Sequence, residues 1–135
     1  ININCDLGES SKLHSTKNDP LLLEIVNSAS IACGYHAGDK PTMEKTIEIS
    51  KKNNVSIGAH PSFNDPENFG RKRINLPSVE IKKLIIDQIN ILSNIADSTN
   101  LIVLPETATS YYLLQGNNNQ LSYIQMLRLK YLMDC

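Results

Sequence analysis

The chain has 135 residues, 41% of them hydrophobic, and a net charge of −1. That length supports one modest domain with a buried core. The near-neutral balance excludes nucleic-acid or membrane-surface binding driven by bulk charge. The three cysteines (Cys5, Cys33, Cys135) form no CxxC pair, which excludes a zinc ribbon or a dithiol redox motif. Reduced thiols in a cytoplasmic protein are the expectation. No apolar run is long enough to span a bilayer, and no signal-peptide pattern is present. The chain opens without Met inside a strand pattern, so a few residues are expected to precede it.

Ile1 to Asp6 alternate apolar and polar residues, the period of a strand. Leu7 to Asn18 read as loop. Asp19-Pro20 opens a short helix through Leu21–Val26, with Asp as cap and Pro in the first turn. Ser30 to Cys33 form a second strand ended by Gly34. Asp39 is placed to cap a second helix with Pro41 in its first turn and Met43, Ile47 and Ser50 near one face. Val55 to Ala59 form a third strand, and His60 to Leu76 a long loop. From Ser78 the longest helix carries Ile81, Leu84, Ile85, Gln88, Ile89, Leu92 and Ile95 at helical spacing. Leu101 to Leu104 read as a fourth strand buried on both faces. A short helix at Tyr111–Gln115 and a last amphipathic helix at Leu121–Met133 follow.

Short buried strands alternating with helices predict parallel βα units, whose site lies at the carboxyl ends of the strands. Asp6 and Glu9 follow the first strand, His36 and Asp39 the second, and His60 the third. Three polar clusters therefore fall at one end. His36 and His60 are candidate ligands or proton carriers, or else solvated loop residues. Asp6 is a candidate base or metal ligand, or a turn aspartate bonded to backbone amides. Asp39 reads first as a helix cap. Asp6 with both histidines can hold a divalent metal with an open position, or run metal-free acid/base chemistry, and spacing does not choose. Arg71, in the basic run after Gly70, can grip a phosphate or carboxylate, or sit in a solvated loop. Cys5 and Cys33 are expected to be small buried strand residues.

Four segments in register resemble the LamB/YcsF family, the A subunit of prokaryotic 5-oxoprolinase. They are Asn4-Cys5-Asp6-Leu7-Gly8-Glu9, Ile31 through Asp39, Ile57-Gly58-Ala59-His60-Pro61 and Phe69-Gly70-Arg71. The match covers about residues 1–103, leaving 104–135 divergent within one domain spanning 1–135. The resemblance implies an α/β fold: parallel βα units forming about half of a distorted (β/α) barrel of the polysaccharide-deacetylase-like type. It implies ATP-dependent opening of pyroglutamate to glutamate with B and C subunits. On that reading Asp6, His60 and His36 are catalytic. Glu9, Gly34, Gly38, Asp39 and Arg71 bind substrate or nucleotide, and no residue is assigned to a metal.

Two departures accompany the resemblance. After the fourth strand the family carries Lys-Pro-His-Gly-(Ala/Asn)-Leu-Tyr, whereas Leu104 to Tyr112 keep only Pro105 and a Tyr. A complete barrel also takes about 250 residues. Partner chains are then expected to cover an open strand edge, by homo-oligomerisation or by other subunits. Two other readings stay open. One is a carbohydrate hydrolase or deacetylase using a divalent metal. The other is a non-catalytic remnant or assembly component.

Overall fold

The computed structural model describes residues 3–96 and the backbone of residues 102–103. Strand β1 covers Asn4–Leu7. Helix α1, Asp19–Leu22, follows a 3-10 turn at Thr16–Asn18. Then come β2 (Ser28–Ala32), α2 (Lys40–Lys52), β3 (Ser56–His60), a 3-10 turn at Pro66–Asn68, α3 (Ser78–Ala96) and β4 (Ile102–Val103). All neighbouring strands pair in parallel, in the order β1-β2-β3-β4. A doubly wound sheet reverses its strand order at a switch point; a barrel does not. The strictly sequential order is that of a (β/α) barrel, and these strands form about half of one.

Alternation along paired strands separates two faces. Cys5, Leu7, Ala29, Ile31, Ile57 and Ala59 share one face, and all belong to or pack against the main apolar cluster. That cluster also takes Met43 and Ile47 from α2 and Ile89, Leu92 and Ala96 from α3. The other face carries small and polar residues: Asn4, Asp6, Ser28, Ser30, Gly58 and His60. Asn4 satisfies two buried serines, its Nδ2 donating to Ser28 Oγ (2.9 Å) and its Oδ1 accepting from Ser30 Oγ (3.1 Å). Burial of hydroxyls is tolerable when each finds such a partner.

Helix α2 begins as expected. The Asp39 carboxylate accepts from the Thr42 amide at 2.9 Å, and Pro41 sits in the first turn, where its missing N–H costs nothing. At the other end Lys51 Nζ donates to the Ala96 carbonyl at 2.6 Å, tying α2 to the last carbonyls of α3. None of the described helices is long and apolar enough to cross a membrane.

Four boundaries differ from expectation. Strand β1 runs through Leu7, read from sequence as loop, because its side chain is 2% exposed in the core. Helix α1 stops after one turn instead of continuing to Val26. Leu23 and Val26 are buried while Leu21 and Ile25 face solvent. The chain must also turn early, because the Asn27 amide donates to the Ile3 carbonyl beside β1. Strand β2 starts at Ser28 and ends at Ala32, so Cys33 is buried in the loop beyond it. Strand β3 is shifted by one, which makes His60 its last residue. The helices expected at Tyr111–Gln115 and Leu121–Met133 lie outside the described residues, as do Leu104 to Tyr112 and Cys135.

Candidate functional site

The carboxyl ends of β1, β2 and β3 deliver four titratable side chains to one place. Asp6 lies in β1, Glu9 in the turn after it, His36 in the loop after β2, and His60 at the end of β3. The first two loops are locked together by backbone. Gly8 adopts φ +71° and its N–H donates to Asp19 Oδ2 at 2.8 Å. The Gly38 N–H donates to the Ser10 carbonyl at 2.9 Å, and a Cβ on Gly38 would stand 2.6 Å from the Gly8 carbonyl oxygen. Only glycine permits that approach. Within the second loop the Gly34 N–H donates to Ala37 O at 3.0 Å, closing the turn that carries His36.

The result is two imidazoles converging on one carboxylate oxygen. His36 Nε2 lies 3.1 Å from Glu9 Oε1 and His60 Nε2 lies 3.3 Å from the same atom. His60 Nε2 is also 3.7 Å from Asp6 Oδ2. The two rings meet edge to face with centroids 4.9 Å apart. The His36 side chain is 2% exposed and that of Glu9 21%. Burial by itself pushes the Glu9 carboxyl up. The hydrogen bonds from His36 and His60, with their charges, outweigh it and bring the value down to about 2. Glu9 is therefore a carboxylate at neutral pH. An ionised carboxylate only accepts, so the His36 Nε2 that bonds it carries the proton.

Aromatic and cationic groups flank this centre. The Phe69 and His36 rings meet edge to face with centroids 5.2 Å apart, His14 stacks on Phe69 at 4.4 Å, and the Arg71 guanidinium lies 5.5 Å from the Phe69 centroid. Phe69 is held in the left-handed region, φ 58° and ψ 37°. Asp65 imposes that conformation. Its carboxylate accepts from Asn68 Nδ2 (2.7 Å) and the Lys72 amide (3.1 Å), and its carbonyl accepts from the Gly70 amide (2.8 Å). The Asn68 bond holds the Asp65 carboxyl below its usual range.

The expected site residues divide as follows. Asp6, Glu9, His36 and His60 come together, with Glu9, expected as a binding group, at their centre. Gly34 and Gly38 shape the second loop. Asp39 is exposed and its carboxylate is engaged as the α2 cap, which holds its pKa below the usual value. Arg71 is exposed and reaches the site through Phe69. Cys33 is pushed up to about 12 by burial, which leaves it inert as a nucleophile. Phe69, His14, Asp65 and Gln88 carry geometry that sequence reasoning missed. An Asp-Pro pair with Asn68 three residues after Asp65 was the one local signal of a side-chain-bonded turn there.

The donor set also corrects the expected metal trio. The three ligand atoms that lie within 4.8 Å of one another belong to Glu9, His36 and His60, so the carboxylate is Glu9 in place of Asp6. Two imidazoles and one carboxylate suit a divalent cation. A metal held by His36 Nε2 would put the ring proton on Nδ1, which then needs an acceptor. His36 Nδ1 is buried and has no hydrogen-bond partner among the described residues. The donors fit a cation; the outer support of His36 does not.

The A subunit of 5-oxoprolinase from Staphylococcus epidermidis (strain RP62A) is 47% identical over 93 residues, covering 69% of this chain and 37% of that protein. The A subunit of 5-oxoprolinase from Nitrobacter hamburgensis is 46% identical over 97 residues, covering 71% and 38%. The chain thus spans well under half the length of the curated relatives it matches. The crystal structure of a lactam utilization protein from Thermus thermophilus superposes with a TM-score of 0.72 at 32% identity, over 80% of this chain and 45% of that one. The LamB/YcsF family profile matches residues 1–104, the stretch that holds every residue of the site. This chain belongs to the LamB/YcsF family.

Proposed function

We propose that this chain is the A-type component of a 5-oxoprolinase, hydrolysing 5-oxo-L-proline to L-glutamate in an ATP-dependent reaction with B and C subunits. The observation that carries the reading is the buried convergence of His36 and His60 on Glu9 Oε1, in a family whose relatives are named for that enzyme. Opening the ring breaks an amide C–N bond, adds the elements of water across it, and delivers one proton to the ring nitrogen. ATP, when bound, would supply the phosphoryl group that activates the lactam oxygen, with ADP as leaving group, and a second water would carry that group off as inorganic phosphate. The chain's own residues handle the protons. Asp6, 3.7 Å from His60 Nε2, takes the proton of the attacking water, while His60 Nε2, which donates to Glu9, passes its proton to the leaving nitrogen and is refilled from Asp6. Glu9 holds His60 in place for that transfer, and His36 fixes Glu9 through the same oxygen. Arg71, beside Phe69, holds an anionic group of the substrate or nucleotide, and Gly34 to Asp39 line its approach.

Incubating the full chain with B- and C-type subunits, ATP and 5-oxo-L-proline, and following glutamate, tests the reading. Release that disappears in His60→Ala supports it; release unchanged in that variant overturns the assignment of the site. A second reading rests on the Glu9, His36 and His60 set: a hydrolase or deacetylase using a divalent cation, with carbohydrate as substrate. It predicts saturable binding of zinc or manganese by the full chain, abolished in Glu9→Gln. The 5-oxoprolinase reading puts the chain in the cytoplasm, with partner surface over an open strand edge of the sheet.

A further inference from the structure

Gln88 lies in the apolar stripe of α3, among Ile85, Ile89 and Leu92, and is fully buried. A buried amide is costly unless its polar atoms are paired. Here they are. Gln88 Oε1 accepts from the Ser62 amide at 2.9 Å, and Nε2 donates to the Ser62 carbonyl at 2.7 Å and to the Leu84 carbonyl at 3.1 Å. The side chain thus pairs with both backbone groups of one loop residue, as a neighbouring strand would. Ser62 is two residues beyond His60, and between them Pro61 is fully buried. Ser62 also packs against Gly70, where a Cβ would run into Ser62 Oγ and stand 3.0 Å from His36 Cβ. Gly70 adjoins Phe69, whose ring meets that of His36 edge to face. One amide therefore fixes the backbone that sets both imidazoles.

We infer that Gln88 is the positioning residue of the His36/His60 pair, acting through the backbone of Ser62. Its hydrogen bonds go to Ser62 and Leu84, and its effect is on where the histidines stand. The kinetic arm of the test rests on the proposed ring-opening reaction; the spectroscopic arm does not.

The test compares the full chain with Gln88→Leu, which keeps the volume and the helix but removes both bonds. Leu92→Ala, a buried residue one turn further along α3, serves as a control for loss of packing. In Gln88→Leu the Ser62 amide is expected to exchange at least about tenfold faster. The ring resonances of His36 and His60 move at constant pH, and kcat falls by about tenfold or more with KM little changed. Leu92→Ala leaves the ring resonances in place. Gln88→Glu keeps an acceptor for the Ser62 amide and loses the donor to its carbonyl. It gives an intermediate shift and serves if Gln88→Leu fails to fold. Ring resonances unmoved in a folded Gln88 variant overturn the proposal, as does an equal displacement in Leu92→Ala. A wild-type chain inactive with its partner subunits, with the ring shifts as expected, refutes the ring-opening reading and leaves the positioning role standing.

Discussion

Glu9 is the residue on which the site turns, and its ionisation leaves a signature in stability. Its carboxyl titrates at about 2 in the folded chain against 4.5 ordinarily. The folded pKa is depressed, so the stabilisation is fully present above the unfolded value and is lost as pH falls from about 4.5 toward 2. Glu9→Gln is expected to flatten stability across that window, measured by urea denaturation at pH 6 and pH 3. The same variant leaves the two imidazoles without their shared anion. Ring-opening activity then falls by about 100-fold or more, on the scale of a lost acid/base partner. Sequence alone placed Asp6, Glu9, His36 and His60 at neighbouring strand ends, because parallel βα order fixes which loops meet. It could not rank Glu9 above Asp6. That ranking depends on the turn at Gly8, held by the Asp19 carboxylate, and on the contact between Gly8 and Gly38. Both bring together residues far apart in the chain.

At the scale of elements, two substitutions separate packing from chemistry. Asp39→Ala removes the cap on α2 and is expected to cost about 1 kcal/mol of stability, read from the thermal midpoint. With its carboxylate committed to the Thr42 amide, activity should fall by less than a few fold. A larger loss in folded protein would return Asp39 to the binding residues. Gly70→Ala places a Cβ against Ser62 Oγ at φ +72° and is expected to cost about 1–3 kcal/mol, with His36 displaced. Helices α2 and α3 were legible because Asp39-Lys40-Pro41 and Ser78 mark their starts and an apolar stripe marks their buried sides. Helix α1 was not. Leu21 to Val26 reads as an apolar helix, yet only Leu23 and Val26 reach the core, and pairing of Asn27 with Ile3 turns the chain into β2. The start of β2 was missed because Ser28 looks like a surface residue until Asn4 is seen to satisfy it. Gln88 was hidden in the same way, as a polar residue at a core position whose partner is backbone 26 residues away.

For the molecule as a whole, the sequential parallel sheet sorts its residues by face and by end. One face buries the apolar cluster against α2 and α3, the other is small and polar, and the carboxyl end collects the titratable groups. That sorting explains how the motifs of residues 1–104 carry a family signature while spanning 37% to 38% of the matched relatives. Among the described residues the strand-end loops after β1, β2 and β3 form one constellation, held by the Asp19 and Asp65 carboxylates. Whether that constellation opens a lactam ring is the central claim. The most direct measurement is glutamate release from 5-oxo-L-proline and ATP by the full chain with B- and C-type subunits, beside a longer relative from the same family. The account predicts release that falls at least about 100-fold in His60→Ala and in Glu9→Gln. No release by this chain while the longer relative is active, or release that persists in both variants, would contradict it.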